Sequence, residues 1–292
     1  MKLTKKSRKT ELLVAQGLED FKSGGHRSLL KGWGGDLDSI RPWQPEDRRV
    51  AMSATAKTGE ITAKVFEEPK LLTVWLVIDI SNSMYFGSEL SRSEAAAVIL
   101  RVLGASVDHL GDLLGLVLFD DKVRQFSEAQ RGGSFLGKTF DFIVKHQPAI
   151  IPTQLPIALR RLTLEKLDNA LVIIISDFNF EVSEECLNLL QQINGGRNNS
   201  SLCLVLYDER ELLFDQQRLM ADICDAESRA TLTWDMTSNE IAESLRNSFN
   251  EWQDQLKSQL RRVNSEILFL DISKNYIRDL AKFFSRKNIH AI

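Results

Sequence analysis

The chain has 292 residues, of which 43% are hydrophobic and 26% are charged, the balance of a soluble globular protein with a packed core. Its formal net charge of −3 argues against a nucleic-acid binder that works by bulk positive charge. No apolar stretch approaches the roughly 18 residues that a transmembrane helix needs, so we expect a cytoplasmic protein. A basic beginning leaves peripheral attachment to an anionic membrane open; its residues are Lys2, Lys5, Lys6, Arg8 and Lys9.

Apolar runs alternate with helical patterns along most of the chain. The predicted strands cover residues 71–78, 113–119, 123–127, 171–176, 202–207, 231–237 and 267–271. The predicted helices cover residues 10–22, 91–110, 134–145, 153–164, 182–193, 238–262 and 276–286. Because strands alternate with helices, the crossovers are expected to be right-handed, which predicts a doubly wound, mostly parallel α/β sheet of the Rossmann-like type.

The composition divides the chain into three expected segments. Residues 1–69 combine a short helix with a Gly/Pro-rich β/loop segment, since glycine and proline at this density favour turns. Residues 70–225 are predicted to form the doubly wound domain. Residues 226–292 are expected to add a helix, a strand and a helix that pack on that domain. Three cysteines without C-x-x-C spacing predict neither a zinc site nor a disulfide framework.

Polar side chains stand where two strongly apolar strands end. Asp79 closes the first strand and opens a D-x-S-x-S motif with Ser81 and Ser83, and Asp177 follows the run at 171–176. Ligands of doubly wound sheets bind at the carboxyl ends of the strands, where two carboxylates would repel each other. Mg²⁺ prefers oxygen ligands and would relieve that repulsion. Thr153 begins a helix between these strands and offers one more oxygen. Alternatively, Asp79 caps the next helix and the hydroxyls satisfy local backbone groups.

The same five residues resemble, in order and spacing, the metal-ion-dependent adhesion site (MIDAS) of von Willebrand factor A domains; they are Asp79, Ser81, Ser83, Thr153 and Asp177. In that family the two serines and the threonine can bind Mg²⁺ directly, and the aspartates often act through water. A carboxylate of a partner protein then fills the open coordination position. The resemblance implies an A-type fold and a protein-interaction module that uses Mg²⁺, or Mn²⁺ or Ca²⁺, with no catalytic residues. Pro152 stands where the family usually has glycine.

Segments outside this motif resemble a bacterial family called domain of unknown function fifty-eight. They are G-H-R-S at 25–28, R-P-W-Q-P-E at 41–46, A-K-T-G at 56–59, V-F-E-E at 65–68 and Y-I-R-D-L-A-K-F-F at 276–284. Members of that family are commonly encoded beside MoxR-type AAA+ ATPases. The resemblance therefore implies an adaptor or co-chaperone that acts with such an ATPase, or on its client, in protein maturation or remodelling.

Two other readings stay open at the level of sequence. A phosphoryl-transfer enzyme of the haloacid dehalogenase type also places an aspartate after its first strand. It needs a second aspartate two residues later, and Ser81 occupies that position. The other alternative is a purely structural A-type domain that holds no metal. Metal affinity that Asp79→Ala abolishes would separate this reading from a MIDAS.

Overall fold

The computed structural model describes most of the chain from residue 37 onward. The described residues are 37–43, 55–56, 59–66, 71–148, 150–212, 220–224, 231–235 and 239–287. The predicted helix at 10–22 and the basic beginning lie outside these residues.

The described strands form one large sheet and two small antiparallel pairs. The strands are β1 (Leu37–Pro42), β2 (Thr62–Phe66), β3 (Thr73–Asp79), β4 (Leu113–Phe119), β5 (Val123–Gln130), β6 (Ala170–Ser176), β7 (Ser200–Tyr207), β8 (Met220–Cys224), β9 (Thr231–Asp235) and β10 (Glu266–Asp271). The large sheet has the order β10-β7-β6-β3-β4-β5. All neighbours in it are parallel except β4 and β5. The predicted doubly wound, mostly parallel sheet is confirmed.

Helices cover both faces of this sheet. The described α-helices are α1 (Arg92–Leu110), α2 (Leu136–Lys145), α3 (Leu155–Thr163), α4 (Glu184–Asn194), α5 (Glu209–Leu212), α6 (Asn239–Arg262) and α7 (Tyr276–Lys287), and a 3₁₀ helix spans Asn82–Tyr85. Helices α1, α2 and α7 contribute to the core on one face, and α3, α4 and α6 to the core on the other. The result is an α/β/α sandwich of three layers.

The central strands are apolar on both faces because both faces are covered. Along β3, Leu76 and Ile78 belong to the first core and Trp75 and Val77 to the second, and all four are buried. Side chains of a strand alternate between faces, so a strand between two helical layers needs an unbroken apolar run. Gly115 of β4 lies opposite Trp75, and its lack of a side chain makes room for the indole ring.

Helix α1 begins immediately after the loop that contains the D-x-S-x-S motif. The hydroxyl of Ser91 accepts from the amide of Glu94, and the carboxylate of Glu94 accepts from the amide of Ser91. This reciprocal capping box fixes the first turn of the helix. Gly111 ends the helix in the left-handed conformation, with φ of 70°. The position of this helix therefore sets one end of the motif loop.

The C-terminal part of the chain completes the large sheet. Strand β10 pairs with β7, and the helices on either side of it, α6 and α7, pack on opposite faces. The sheet thus takes strands from both of the segments predicted as 70–225 and 226–292, and those boundaries stay predictions. Strand β9 pairs with β8 outside the large sheet. Among the described helices, none combines the length and apolar character required to cross a membrane.

Candidate metal centre at the carboxyl edge of the sheet

Each of the five parallel strands carries an aspartate where it ends. Asp79 and Asp271 are the last residues of β3 and β10, while Asp120, Asp177 and Asp208 directly follow β4, β6 and β7. All five are at most 8% exposed. Because the strands are parallel, the five carboxylates lie along one edge of the sheet, and we call them the aspartate row. Five buried negative charges along one edge require compensation.

Members at the two ends of the row have cations beside them. The guanidinium Nε of Arg124 lies 2.7 Å and 2.6 Å from the two carboxylate oxygens of Asp120. The ammonium of Lys274 lies 3.0 Å from Oδ2 of Asp271. Burial would raise the pKa of Asp271, but hydrogen bonds from Ser273 and Lys274 hold it below its usual range. These carboxylates are neutralised by the protein itself.

Asp79 lies inside the row, beside Asp177, and we call these two the central pair. Neutral groups bind Asp79. Its Oδ1 accepts from the amide of Ser81 at 2.8 Å, and its Oδ2 accepts from the hydroxyl of Ser176 at 2.7 Å. Complete burial, together with the charge of Asp177, raises the pKa of Asp79 from 3.8 to about 7. Near neutral pH this carboxyl group therefore gains greatly from a cation that takes the place of its proton.

Asp177 is the second central member. Its Oδ1 accepts from the amide of Asn179 at 3.1 Å. Burial raises the pKa of Asp177, although the charge of Arg92 and hydrogen bonds from Asn179 and Ser83 oppose the rise. Two neighbouring carboxyl groups whose pKa values are both raised are costly to ionise together in the absence of a nearby positive charge. The pair is electrostatically suited to a cation.

The two serines of the motif lie beside this pair. The hydroxyls of Ser81 and Ser83 are 3.2 Å apart, and both residues are buried. Ser83 belongs to the 3₁₀ helix, whose backbone is tied to α1 because Arg92 donates from Nη1 to the carbonyl oxygen of Ser83 at 3.1 Å. The motif therefore brings both hydroxyls and Asp79 into one cluster, with Asp177 within hydrogen-bonding reach of Ser83.

Thr153 comes to the same edge from a third loop. It is buried, and the next residue, Gln154, donates its amide to the carbonyl oxygen of Asp120 at 2.8 Å. Asp120 follows β4, the neighbour of β3, so this hydrogen bond holds the loop beside the motif. The contact places Thr153 at the carboxyl edge without fixing a distance to Asp79.

The donors of the five predicted ligands are all oxygen atoms, which suits a hard divalent cation such as Mg²⁺ and does not suit zinc. Within the described part of the chain, no cluster of three or more histidine, cysteine, aspartate or glutamate side chains has the arrangement of a metal site. The predicted set differs from such clusters because only Asp79 and Asp177 belong to those residue types. The assignment of Mg²⁺ to these residues stays a prediction.

Two residues that contact the site were not predicted. Ile78 of β3 lies opposite Ile175 of β6, so Ser176 stands level with Asp79, and that register explains the hydrogen bond between them. An alignment of β3 with β6 in this register would identify Ser176 from the sequence. No sequence pattern indicates Arg92, because its contact with the carbonyl oxygen of Ser83 depends on the direction in which α1 leaves the loop.

Comparison with protein families and curated proteins identifies relatives. A family model described as "Protein of unknown function DUF58" matches residues 39–258. Two mycobacterial proteins are each 28% identical over 187 residues: Uncharacterized protein Rv1480 of Mycobacterium tuberculosis and Uncharacterized protein Mb1516 of Mycobacterium bovis. The alignments cover 61% of this chain and 57% of each relative. The chain thus spans a little over half the length of these relatives.

Solved structures also align with the chain. BatB from Bacteroides thetaiotaomicron aligns over 75% of this chain and 99% of its own, with 14% identity and a TM-score of 0.46. The SpRpn10 VWA domain aligns over 73% of this chain and 95% of its own, with 13% identity and a TM-score of 0.41.

Proposed function

Because this chain belongs to the DUF58 family, we propose that it works as a protein-interaction module that binds Mg²⁺ and holds a partner protein through that metal. The observation that carries the proposal is the central pair of the aspartate row. Asp79 and Asp177 are buried neighbours whose pKa values are both raised, and the hydroxyls of Ser81 and Ser83 lie beside them. A hard divalent cation satisfies this group of oxygens better than protons do.

The hydroxyls of Ser81, Ser83 and Thr153 would hold the metal, and the two aspartates would neutralise it. Bound there, the ion supplies a Lewis-acidic position that accepts a carboxylate from another protein. A protein site with only two carboxylates binds Mg²⁺ weakly, and a partner carboxylate raises the affinity. By linkage, the metal strengthens partner binding by the same factor. Mn²⁺ and Ca²⁺ are expected to act as substitutes for Mg²⁺.

The surface next to the site favours a macromolecular partner. Phe86 follows the 3₁₀ helix of the motif, and Ile150 and Ile151 precede Thr153 in the chain; all three side chains are exposed, and we call them the apolar rim. Exposed apolar patches with polar surroundings mark interaction surfaces, so we propose that these side chains contact the partner protein. A small anionic ligand would gain nothing from them.

The partner proposed is a MoxR-type AAA+ ATPase or one of its client proteins, with this chain as adaptor or co-chaperone. Support for the partner comes from the family resemblance, since members are commonly encoded beside such ATPases. Support for binding rather than phosphoryl transfer comes from the position two residues after Asp79. The residue two positions after Asp79 is Ser81, whereas a phosphoryl-transfer enzyme of the haloacid dehalogenase type needs an aspartate there.

The test is affinity capture with the immobilised chain, from lysate of the source organism and with the purified ATPase encoded nearest to it. Capture is compared in Mg²⁺ and in EDTA for the natural chain, Asp79→Asn and Asp271→Asn. Asp271 is the matched control because it lies in the same row but has Lys274 beside it. Capture that requires both Mg²⁺ and Asp79, and that survives Asp271→Asn, supports the proposal. Equal capture in EDTA, or none at all, leaves a structural domain without metal-dependent binding.

The apolar rim has its own control. Ile151→Ser removes an exposed apolar side chain beside the site, and Leu164→Ser removes one at the far end of α3. Helix α3 has nine residues and rises about 1.5 Å per residue, so Leu164 lies roughly 14 Å farther along the helix than the site. Only Ile151→Ser is expected to weaken capture. Equal effects of the two variants would show that the rim does not take part.

A further inference from the structure

The segment that follows the motif is held by a residue that lies far away in the sequence. Oδ2 of Asp208 accepts two hydrogen bonds from Ser88, from the amide at 2.8 Å and from the hydroxyl at 2.6 Å. Its Oδ1 accepts from the amide of Arg210 at 2.9 Å. Burial would raise the pKa of Asp208, but the bonds from Ser88 hold it below its usual range. We call the contact between Ser88 and Asp208 the clamp.

A neighbouring ion pair reinforces the clamp. Arg210, two residues after Asp208, pairs with Glu89, the residue after Ser88. Gly87 makes the turn that brings both residues into place, with φ of 156°. A Cβ added there would lie 2.1 Å from the carbonyl oxygen of Leu90. Only glycine fits this conformation and this space. The short segment 86–91 is thus shaped for its contact with the end of β7.

The path of this segment relates the clamp to the candidate metal centre. In the sheet, β6 lies between β3 and β7. The chain leaves the end of β3 at Asp79, and Ser88 meets Asp208 at the end of β7. Neighbouring strands are about 4.8 Å apart, so the segment crosses roughly 10 Å and passes over the end of β6. Asp177 lies at that end. Fixing Ser88 therefore fixes how Ser83 faces Asp177.

We propose that Ser88 and Asp208 are positioning residues of the metal centre: the clamp holds the motif loop so that Ser81 and Ser83 face Asp177. This inference rests on the proposed function of the site. The clamp also places the motif loop under the control of the chain segment that begins at Asp208. A partner that moves α5, at Glu209–Leu212, would pull on the metal ligands through Ser88.

The chain contains a matched control. At the end of β10, Ser273 donates its amide and its hydroxyl to Oδ1 of Asp271, at 3.0 Å and 2.7 Å. The chemistry equals that of the clamp, but Ser273 is only two residues from Asp271, and β10 lies three strands from β3, where the motif begins. Asp271 also accepts from the amide of Glu209 at 3.2 Å, a contact that Ser273→Ala leaves in place. Ser273→Ala and Ser88→Ala remove the same kind of hydrogen bond. A general loss of stability would affect metal binding equally in both.

The first measurement is Mg²⁺ affinity by calorimetry for the natural chain, Ser88→Ala, Ser88→Thr and Ser273→Ala. Residues that hold metal ligands in place typically contribute 10-fold to 100-fold to affinity, so Ser88→Ala is expected to weaken Mg²⁺ binding about 10-fold. Threonine keeps the hydroxyl and is expected to restore most of the affinity. Ser273→Ala is expected to bind Mg²⁺ as the natural chain does. An unchanged Ser88→Ala variant, or equal losses in Ser88→Ala and Ser273→Ala, would overturn the inference.

The second measurement is independent of the metal. Amide hydrogen exchange of peptides covering residues 79–91, in EDTA, is expected to quicken in Ser88→Ala and to stay unchanged in Ser273→Ala. Unaltered exchange in Ser88→Ala would refute the clamp even if Mg²⁺ binds. If the natural chain binds no Mg²⁺ while exchange quickens as expected, the proposed function fails. The clamp then remains as a loop anchor with no role in metal binding, and the positioning role is refuted.

Discussion

Replacing Asp79 with asparagine should stabilise the metal-free protein while removing its response to Mg²⁺. Asparagine keeps the shape of aspartate and an oxygen for the amide of Ser81, but it carries no charge. The carboxylate is completely buried beside Asp177, so the folded protein holds it ionised at a cost. A buried charged group that lowers the stability of the metal-free protein is expected to serve binding.

The size of the effect follows from the pKa of Asp79. Its rise from 3.8 to about 7 corresponds to roughly 4 kcal/mol, at about 1.4 kcal/mol per pKa unit. The unfolded carboxyl group loses its proton near pH 4 and the folded one near pH 7, so the folded state binds more protons between these values. Stability therefore falls as the pH rises through this window and stays low above it. Asp79→Asn should remove this fall and gain about 2–4 kcal/mol at pH 8 in EDTA, the lower end allowing for a weaker hydrogen bond with Ser176.

Urea unfolding followed by tryptophan fluorescence measures this directly, since Trp75 lies in the core. In EDTA, the natural chain should lose roughly 2–3 kcal/mol between about pH 5 and pH 8 relative to Asp79→Asn. Mg²⁺ at about a hundredfold excess over its dissociation constant should return about 2.7 kcal/mol to the natural chain and nothing to the variant. If Asp79→Asn proves less stable than the natural chain in EDTA at pH 8, the electrostatic argument for a cation is wrong.

Three further predictions, the first with its own control variant, test the packing of the sheet and its helices. Gly115→Ala puts a Cβ 2.4 Å from the ring of Trp75 and should cost about 1–3 kcal/mol in urea unfolding. The control is Gly137→Ala, which has open space around the added Cβ and should change stability by less than about 0.5 kcal/mol. Leu260→Ala should cost about 2–5 kcal/mol without weakening Mg²⁺ binding, and a negligible cost would show that α6 does not pack on the sheet. Asn194→Ala should cost about 1–3 kcal/mol in thermal or urea unfolding, because Nδ2 of Asn194 donates at 2.7 Å to the carbonyl oxygen of Val263, the residue after α6. Full stability of this variant would refute that contact.

The large sheet could be predicted because its strands are apolar on both faces. The predicted strands 71–78 and 171–176 correspond to Thr73–Asp79 and Ala170–Ser176, with ends shifted by two residues or fewer. Such runs are distinctive, since few other structures need them. The strand Met220–Cys224 was missed. It is short, includes a charged residue, and is held by pairing with β9, which local sequence does not reveal.

The candidate site, like the sheet, could be predicted from the sequence only in part. Asp79 and Asp177 were predicted because each ends an apolar strand, and Asp208 carries the same signal and would have been found by applying the rule to every strand. Its contact with Ser88 joins residues far apart in the chain. No periodicity or motif reports such a contact, because it depends on the order of the strands and on the path of a loop across them.

The position of β10 at one edge of the sheet has a consequence for how the protein is made. The ribosome releases β7 well before β10, and until Glu266 emerges the backbone amides and carbonyls along one side of β7 have no strand to pair with. An unpaired strand as apolar as Ser200–Tyr207 readily adds a strand from another chain. Folding of the large sheet is therefore completed only once Glu266–Asp271 has emerged. A chain that stops before Glu266 is expected to aggregate along β7 rather than form a smaller stable sheet.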